Sequence, residues 1–567
     1  MKRSFPGLRL FFVHLLLVLF GSLLFAASFP NILSPEGFPF LAWIAFVPVF
    51  CLIYSAGPLS SVFWGALYGY AAYGLFNYWL SVFHPLAGII VDSIYLVYFA
   101  ALFPLLKLAV ILFPRRGYLV QWIIWIAYEY LRTLGFLGYP YGIAGYSQWS
   151  VLPLIQIADI FGVWGVSALV VFPSAALAAA FAGGSGKPGQ SEAALSLTRL
   201  PARLGEFFRK ERAACCLWLA ALAGALVYGA LSPADYRDAP SVRVALVQHN
   251  TDPWRGGIAQ YRRNYEVLKR LSLEALEETP RPDLVVWSET AFVPRIYWHT
   301  NYRDDPPSWE LIKELLDFLK QQDVPFLIGN DDARKEPPKN PDDGYRVDYN
   351  AVMLFEKGES SILYRKLHLV PFTEHFPYEK QFPWVYNALK NADTHFWEKG
   401  TEATVFESAG VKFSTPICFE DSFGYLSRTF TRNGAELIVN LSNDAWSASL
   451  PAQMQHLSMA VFRAVENRRS MARSTASGQT CGIDPNGKIL AMAEPFAEVS
   501  LNVDLPVVKK TTIYTRFGDI LGQFFAVFAL AILLIGGVRG ILGRRAGKKP
   551  AALSRTNRDL AGGGRRQ

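Results

Sequence analysis

The sequence predicts a polytopic α-helical membrane domain of about eight transmembrane helices, joined to an α/β layered domain. Three observations carry this. Apolar runs long enough to cross a bilayer recur through residues 1–231 and again near 519–540. Lys and Arg collect in alternate connections between those runs. Between residues 232 and 518 the pattern changes to short β-branched runs alternating with amphipathic helical stretches. With 567 residues, 51% of them hydrophobic and only 18% charged, the chain is too long for one ordinary domain and too apolar for a purely soluble one.

The expected spans lie near 8–27, 38–54, 62–83, 88–113, 119–136, 155–182, 213–231 and 520–538. The first, third and fifth connections carry essentially no Lys or Arg. The fourth carries Arg115 and Arg116, and the sixth carries Lys187, Arg199, Arg203, Arg209, Lys210 and Arg212. The segment 541–567 is a basic tail, with Arg544, Arg545, Lys548 and Lys549 at its start. The positive-inside rule then places both termini in the cytoplasm and residues 232–518 outside. The net charge of +8 is thereby accounted for by leaflet-facing loops, without a nucleic-acid partner. Lys2, Arg3, the first apolar run and Phe25-Ala26-Ala27-Ser28 also fit a cleavable signal peptide, whose removal would leave the remaining topology unchanged. Within the spans, Glu129 and Arg132 are three apart and can pair. The stretch around Tyr139-Pro140-Tyr141 reads as an interfacial loop.

In the outside region, strands are expected at 242–248, 284–287, 325–329, 350–355, 361–364, 411–417 and 437–441, with a closing pair within 480–492. Lys357-Gly358 and Pro485-Asn486-Gly487 are turn signals. Helices are expected at 264–278, 309–319 and 456–472. Polar residues gather at strand ends, where sites form in open α/β sheets: Glu289 after one strand, Lys366 after the hairpin, Cys418 after another, Ser442-Asn443-Asp444 after the next. A thiol, a carboxylate base and a cation are the parts of nucleophilic acyl transfer. Glu374 or Glu420 is a second carboxylate that can orient the lysine. The bland alternatives are a capping glutamate, a solvated lysine and a Cys418–Cys481 disulfide on an oxidising side. Of the five cysteines, Cys51, Cys215 and Cys216 sit in apolar stretches. No CxxC or His-x-His pattern occurs, so neither a metal nor another cofactor is expected.

Three blocks sharpen this. Val286-Trp287-Ser288-Glu289-Thr290-Ala291, then Tyr364-Arg365-Lys366-Leu367-His368-Leu369-Val370-Pro371-Phe372-Thr373-Glu374, then Pro416-Ile417-Cys418-Phe419-Glu420, resemble the signature blocks of the nitrilase (carbon–nitrogen hydrolase) superfamily. The lysine block, Ser442-Asn443-Asp444-Ala445-Trp446, Gln455-His456, Tyr146-Ser147-Gln148 and Tyr514-Thr515-Arg516-Phe517-Gly518-Asp519 are similar to the bacterial apolipoprotein N-acyltransferase family within it. That resemblance implies an αββα sandwich and a ping-pong reaction. A phospholipid, typically phosphatidylethanolamine, gives an acyl chain to the cysteine. The α-amine of the diacylglyceryl cysteine of an apolipoprotein then takes it. Carried over, Cys418 is the nucleophile, Glu289 the base and later the acid, and Lys366 the stabiliser of the tetrahedral intermediate, with Glu374 and Glu420 in support. Trp254, Phe419 and Trp446 fall at substrate-contacting positions. Thr373, Phe419 and Ser447-Ala448-Ser449 depart from the family's usual Gly, Tyr and Phe-Gly. An apolar approach lined by Phe376, Trp384 and Trp446 is expected to keep water from the thioester. The competing readings are a membrane-anchored amidase acting on a small amide, and a transporter with an outside domain. Eight spans are excessive for an anchor, and Asp92, Lys107, Glu129, Arg132 and Asp159 are a sparse ionisable set for coupled transport.

Overall fold

The computed structural model describes residues 6–83, 85–182, 200–337, 345–391 and 394–546. Lys2, Arg3, Lys187, Arg199 and the basic tail from Lys548 onward lie outside the described residues. So does the signal-peptide reading in part.

The first part of the chain is helical. Among the described residues, four of its helices and the one near the end are long and apolar enough to cross a bilayer: Gly7–Ser28, Ala87–Leu112, Val163–Phe181, Arg212–Leu231 and Ile520–Leu542. The other three expected spans are shorter or broken. The second becomes a 3-10 turn, Pro39–Trp43, followed by Val47–Ser55. The third stops at Asn77, giving Ser60–Phe76 and then the short Leu80–Phe83. The fifth is Gly117–Leu131, beginning directly after the Pro114-Arg115-Arg116 break. Val163–Phe181 is apolar all round and buried on nearly every turn, so it is the centre of the bundle. The peripheral helices leave Leu16, Leu23, Leu217, Val527 and Leu534 exposed, an apolar surface suited to lipid. Helices Ser60–Phe76 and Pro85–Leu112 approach closely at Gly65 and Gly69, where a Cβ would overlap the carbonyls of Phe99 and Tyr95.

The ionisable residues of this half are tied into its structure. Lys107 Nζ donates to the carbonyls of Ile53 (3.0 Å) and Tyr54 (3.0 Å), the end of a helix. Glu129 and Arg132 do not serve one another as expected. Glu129 Oε1 accepts from the Ala144 N–H (3.0 Å) and Trp125 Nε1 (3.3 Å), while Arg132 Nη1 donates to Tyr95 Oη (2.6 Å) and to the carbonyls of Tyr139 (2.7 Å) and Tyr141 (2.9 Å). Both hold the loop that follows their helix, because a buried loop carries backbone groups that need partners.

The second part is a two-sheet sandwich. Strands β1 Ser241–Gln248, β2 Leu284–Trp287, β3 Phe326–Lys335, β4 Arg346–Glu356, β5 Glu359–Arg365 and β12 Val499–Pro506 form one sheet in the order β12-β1-β2-β3-β4-β5. Strands β6 Val405–Ser408, β7 Val411–Ser414, β8 Leu437–Ser442, β9 Ser470–Thr475, β10 Cys481–Ile483 and β11 Ile489–Met492 form the other, in the order β11-β10-β9-β8-β7-β6. In each, three parallel strands are flanked by antiparallel ones.

The period-2 alternation of the sequence decides which face meets what. Val244, Leu246, Leu284, Val286, Leu327, Val352 and Leu354 point inward and share one core with Phe413, Ile438 and Leu441 of the second sheet. Ala245, Val247, Val285, Trp287, Phe326 and Ile328 point outward and pack on Tyr265, Leu268, Leu271, Leu311 and Leu315 of helices Gly257–Glu277 and Pro306–Lys320. The helix Leu450–Asn467 covers the second sheet, completing αββα layers. The expected helix 456–472 is corrected here. It ends where Arg468 turns to φ 50°, and Ser470–Thr475 becomes β9, a fully buried central strand.

Leu450–Asn467 is also the adaptor to the helical half. Gln455 Oε1 accepts from Trp79 Nε1 (3.0 Å), its amide donates to the Pro30 carbonyl (2.9 Å), and Glu466 Oε1 accepts from the Val163 N–H (3.3 Å). Just beyond it, Arg468 Nη2 reaches Asp159 Oδ2 at 2.8 Å, with both side chains buried. A buried pair of this kind has its worth in fixing geometry more than in net stability.

Candidate active site

Strand ends from both sheets converge at one end of the sandwich. Glu289 lies two residues past β2, where Thr290 takes φ 45°. That turn lies directly over Gly329 of β3, where a Cβ would overlap the Ser288 carbonyl and the Glu289 Cα. Lys366 follows β5, and its backbone N–H donates to the Asn350 carbonyl (2.8 Å). Cys418 follows β7 through Thr415-Pro416-Ile417 and opens a 3-10 turn, Cys418–Ser422. It takes φ 49°, a left-handed conformation that costs a non-glycine residue about 1–2 kcal/mol. The Asn440 amide holds this turn by donating to the carbonyls of Pro416 (3.0 Å) and Cys418 (3.3 Å).

The charged groups form a chain. Lys366 Nζ, with no exposed surface, lies 2.8 Å from Glu374 Oε1 and 3.2 Å from Glu289 Oε1. Glu289 Oε1 also accepts from Asn350 Nδ2 (2.8 Å), and its Oε2 accepts from the Asn443 N–H (2.8 Å). Glu374 Oε2 accepts from the Val370 N–H (2.9 Å). Burial works against the Lys366 ammonium, but the two carboxylates outweigh it and hold the group charged, well above the ordinary lysine range. Burial pushes Glu374 up, against the pull of Lys366.

The Cys418 thiol is pushed well above the ordinary thiol range, first by burial and then by Glu289; Lys366 and a contact with Ser442 act the other way. The resting arrangement is therefore a neutral thiol beside a carboxylate and an ammonium. Such a thiol is a poor target for adventitious oxidation, and the neighbouring carboxylate is chemically able to take its proton. Cys418 and Cys481 are both free, so the disulfide alternative is set aside, and Cys481 is a buried residue of β10.

Glu420 does not touch the lysine. Its carboxylate accepts from the N–H groups of Ile417 (2.8 Å), Leu367 (2.7 Å) and His368 (2.8 Å) and from Tyr364 Oη (2.8 Å). Burial pushes its pKa up to about 7, yet all four partners are donors and suit the carboxylate form. Glu420 thus staples the segment bearing Lys366 to the one bearing Cys418.

Phe419, next to the thiol, is roofed by the helical half. Tyr139 and Tyr141 stack on each other with centroids 4.8 Å apart, and each stacks on Phe419 at 6.4 Å. These are the residues whose carbonyls Arg132 holds. Trp446 packs on Trp79 of the helical half (5.7 Å). Trp254 is elsewhere: it packs on Trp397 (5.8 Å), whose N–H donates to the Glu374 carbonyl (3.0 Å), so it stands one layer behind Glu374. The expected apolar approach is also corrected. Phe376 is buried against Phe136 and Phe372, but Trp384 is 73% exposed, because the helix Pro383–Asn391 turns no residue into the core.

Sequence reasoning missed Asn350, Tyr364, Asn440 and the two stacked tyrosines. Asn350 had a signal: it shares the inward face of β4 with Val352 and Leu354, and a polar side chain on a core face needs a partner. Asp331, Asp348 and His395 bring ligand atoms within 4.8 Å of one another. Arg295 Nη2 (3.0 Å) and Arg346 Nε (3.1 Å) already face Asp348, and Trp397 Nε1 donates to Asp331 (3.2 Å), so this cluster is an ion-pair knot that supplies its own cations.

Comparison with known proteins agrees with this architecture. The family model described as carbon-nitrogen hydrolase matches residues 243–512, and that described as apolipoprotein N-acyltransferase N-terminal domain matches residues 21–176. Apolipoprotein N-acyltransferase 1 of Treponema denticola is 46% identical over 538 residues, covering 93% of this chain and 96% of the relative. Apolipoprotein N-acyltransferase 1 of Treponema pallidum is 48% identical over 541 residues, covering 92% and 95%. Among solved structures, an amidase from Nesterenkonia sp. is similar over 50% of this chain and 96% of its own, at 17% identity and a TM-score of 0.34.

Proposed function

The chain belongs to the apolipoprotein N-acyltransferase family, and from that premise we propose how its residues carry an acyl group between two lipids. The function is N-acylation of lipoproteins at a membrane. The proposal concerns the donor, the residues and the sidedness.

The donor is a membrane phospholipid. Cys418 attacks an ester carbonyl of the donor as its S–H proton passes to Glu289. Lys366 stabilises the oxyanion that forms. Collapse breaks the ester C–O bond, and the leaving lysophospholipid oxygen takes the proton from Glu289, leaving a Cys418 thioester. The neutral α-amine of the diacylglyceryl cysteine then attacks the thioester. Its surplus proton goes to Glu289 and on to the departing sulfur, so amide and free thiol are the products. Glu374 holds Lys366, and Glu420 keeps the lysine and cysteine segments in register.

The observation that carries this reading is the Glu374–Lys366–Glu289 chain beside a half-buried thiol, under an aromatic roof supplied by the membrane half. A roofed site is suited to a thioester that must wait for an amine in the presence of water. In this reading residues 232–518 are the catalytic domain on the outer side of the bacterial inner membrane. Residues 1–231 and 519–540 are the membrane part, and both termini and the tail 541–567 are cytoplasmic. Phe419 and Trp446 meet acyl chains, whereas Trp254 acts on substrate only through the layer behind Glu374.

The test is a chase. Protein charged with labelled acyl phospholipid is given a diacylated lipopeptide or buffer alone. Transfer to the lipopeptide amine should outrun loss to water by at least about 100-fold, in keeping with a water-excluding site. Equal rates would overturn the proposal.

A further inference from the structure

Ser442 closes β8 where the nucleophile and the base meet, and the thioester chemistry gives it no task. Three contacts fix that strand end. Asn440 Nδ2 donates to the Cys418 carbonyl (3.3 Å), the Leu441 N–H donates to the Pro416 carbonyl (3.3 Å), and the Asn443 N–H donates to Glu289 Oε2 (2.8 Å). Side chains alternate along a strand, so Ser442 shares the face of Asn440 and looks onto the Cys418 turn. Ser442 has no exposed surface. Its hydroxyl contacts the thiol and donates to Asp444 Oδ1 at 3.0 Å.

A count of donors shows what the sulfur lacks. An ammonium has three N–H groups. Lys366 gives two of them to Glu374 and Glu289, and the third is the one an oxyanion can take. The lysine therefore has none to spare for the sulfur while it carries negative charge, and Glu289 is an acceptor until it holds a proton. The Ser442 hydroxyl is a donor that can change partner by rotation about Cβ–Oγ alone. Asp444 can release it, because Asp444 Oδ2 also takes Arg473 Nη1 (3.1 Å) and its Oδ1 faces His456 Nδ1 (3.3 Å). Burial works against the Asp444 charge, yet Arg473 and His456 hold the carboxyl well below the ordinary range. The same two residues grip Asp421 of the Cys418 turn, Arg473 at 3.3 Å and His456 at 2.6 Å, so the strand end and the turn are fixed to one another.

We propose that Ser442 is a catalytic residue whose hydroxyl hydrogen-bonds the Cys418 sulfur whenever that sulfur bears negative charge. The proposal rests on the thioester reading. At rest the hydroxyl faces Asp444. As the thiol proton passes to Glu289 the hydroxyl turns to Sγ, and it returns to Asp444 once the S–C bond has formed. In the second half the amine nitrogen bonds to the thioester carbon, the C–S bond breaks, and the sulfur leaves with the electron pair. Ser442 donates to that sulfur until the surplus proton of the amine reaches it through Glu289. The serine O–H bond is not broken at any point, so Ser442 neither gains nor loses a proton.

The test compares full-length Ser442→Ala and Ser442→Thr with the unaltered protein in detergent. Three rates are read: acyl-adduct formation from labelled phosphatidylethanolamine, single-turnover discharge of the adduct to a diacylated lipopeptide, and alkylation of Cys418 by iodoacetamide at pH 9. Ser442→Ala should form and discharge the adduct about 30-fold more slowly, the worth of a hydrogen bond to a charged group. It should also alkylate about 3- to 10-fold more slowly, because a thiolate without its donor is less populated. Ser442→Thr keeps the hydroxyl and should stay within about 3-fold of the unaltered protein in all three rates. A purely structural role would slow transfer without moving alkylation, and Thr, the larger side chain in a closed site, would then do no better than Ala. Either of those results, or Ser442→Ala matching the unaltered protein, overturns the proposal. Thermal unfolding shows whether the variants fold. Should Ser442→Ala not fold, Ser442→Thr and Ser442→Val, alike in shape and different in the hydroxyl, make the same comparison. Alkylation needs no acyl donor. Absence of an adduct in the unaltered protein would therefore count against the thioester reading, while the alkylation rates would still decide whether Ser442 serves the sulfur.

Discussion

Replacing Glu374 by Ala isolates the electrostatics of the lysine. Lys366 has no exposed surface and two carboxylate partners, Glu374 at 2.8 Å and Glu289 at 3.2 Å. Breaking a buried ion pair by removing one partner costs about 3–5 kcal/mol. Here Glu289 remains, so the uncompensated charge is partial and the cost should fall near 2–3 kcal/mol by the same reasoning. The ammonium will then draw onto Glu289, the group proposed to accept the thiol proton. The cost should therefore appear in chemistry, as acylation of Cys418 slowed about 30- to 150-fold. Glu374→Gln keeps an oxygen that can face Nζ, but its amide cannot also accept from the Val370 N–H, so a smaller loss of about 10-fold is expected. The assay is the first-order rate of acyl-adduct formation by intact mass, with thermal unfolding run alongside. Glu374→Ala acylating at the wild-type rate, with unfolding unchanged, would refute the reasoning.

Three further expectations follow from the same contacts. The Cys418 thiol is raised by burial and by Glu289, so at pH 8 it should alkylate more slowly than a free thiol. Glu289→Gln removes a charge that raises it and should move the alkylation midpoint down; Lys366→Met removes one that lowers it and should move the midpoint up, so shifts in the opposite senses would contradict the assignment. Glu420→Gln presents one acceptor and one donor to four donors, which should destabilise by about 1–3 kcal/mol and slow acylation; an unchanged Tm would show that the staple is not needed. Arg468→Ala leaves Asp159 buried without its guanidinium and should cost about 3–5 kcal/mol, whereas Arg468→Ala/Asp159→Asn should cost less than the sum of the two single changes; strict additivity would argue against the contact.

Much of the sandwich was legible because each short strand is written in period 2 and the facing helices in a wider period. Glu289, Lys366 and Cys418 were legible as polar residues ending apolar strands. Glu374 and Glu420 could be found but not told apart, since spacing does not say which carboxylate reaches Nζ and which binds backbone N–H groups. The sequence carries the helix to Ala472, into the first half of β9, because Ser470–Ala472 continues a helical run without a Gly or Pro; only the turn at Arg468 and pairing with β8 separate the two. The short helices of the membrane half look like longer spans in the sequence because hydropathy does not register a break such as Asn77, whose side-chain oxygen accepts from Tyr139 Oη. The stacking of Tyr139 and Tyr141 on Phe419 joins segments far apart in the chain and has no local signal. Trp384 is the opposite case: its position in the sequence suggests a site lining, yet the helix that carries it lies on the surface.

The central claim is that Cys418 carries the acyl group, and intact mass tests it most directly. Purified protein incubated with phospholipid should gain one acyl-sized mass, placed on Cys418 by peptide mapping, absent in Cys418→Ala and discharged by a diacylated lipopeptide. An adduct on another residue, or full transfer activity in Cys418→Ala, would contradict the account.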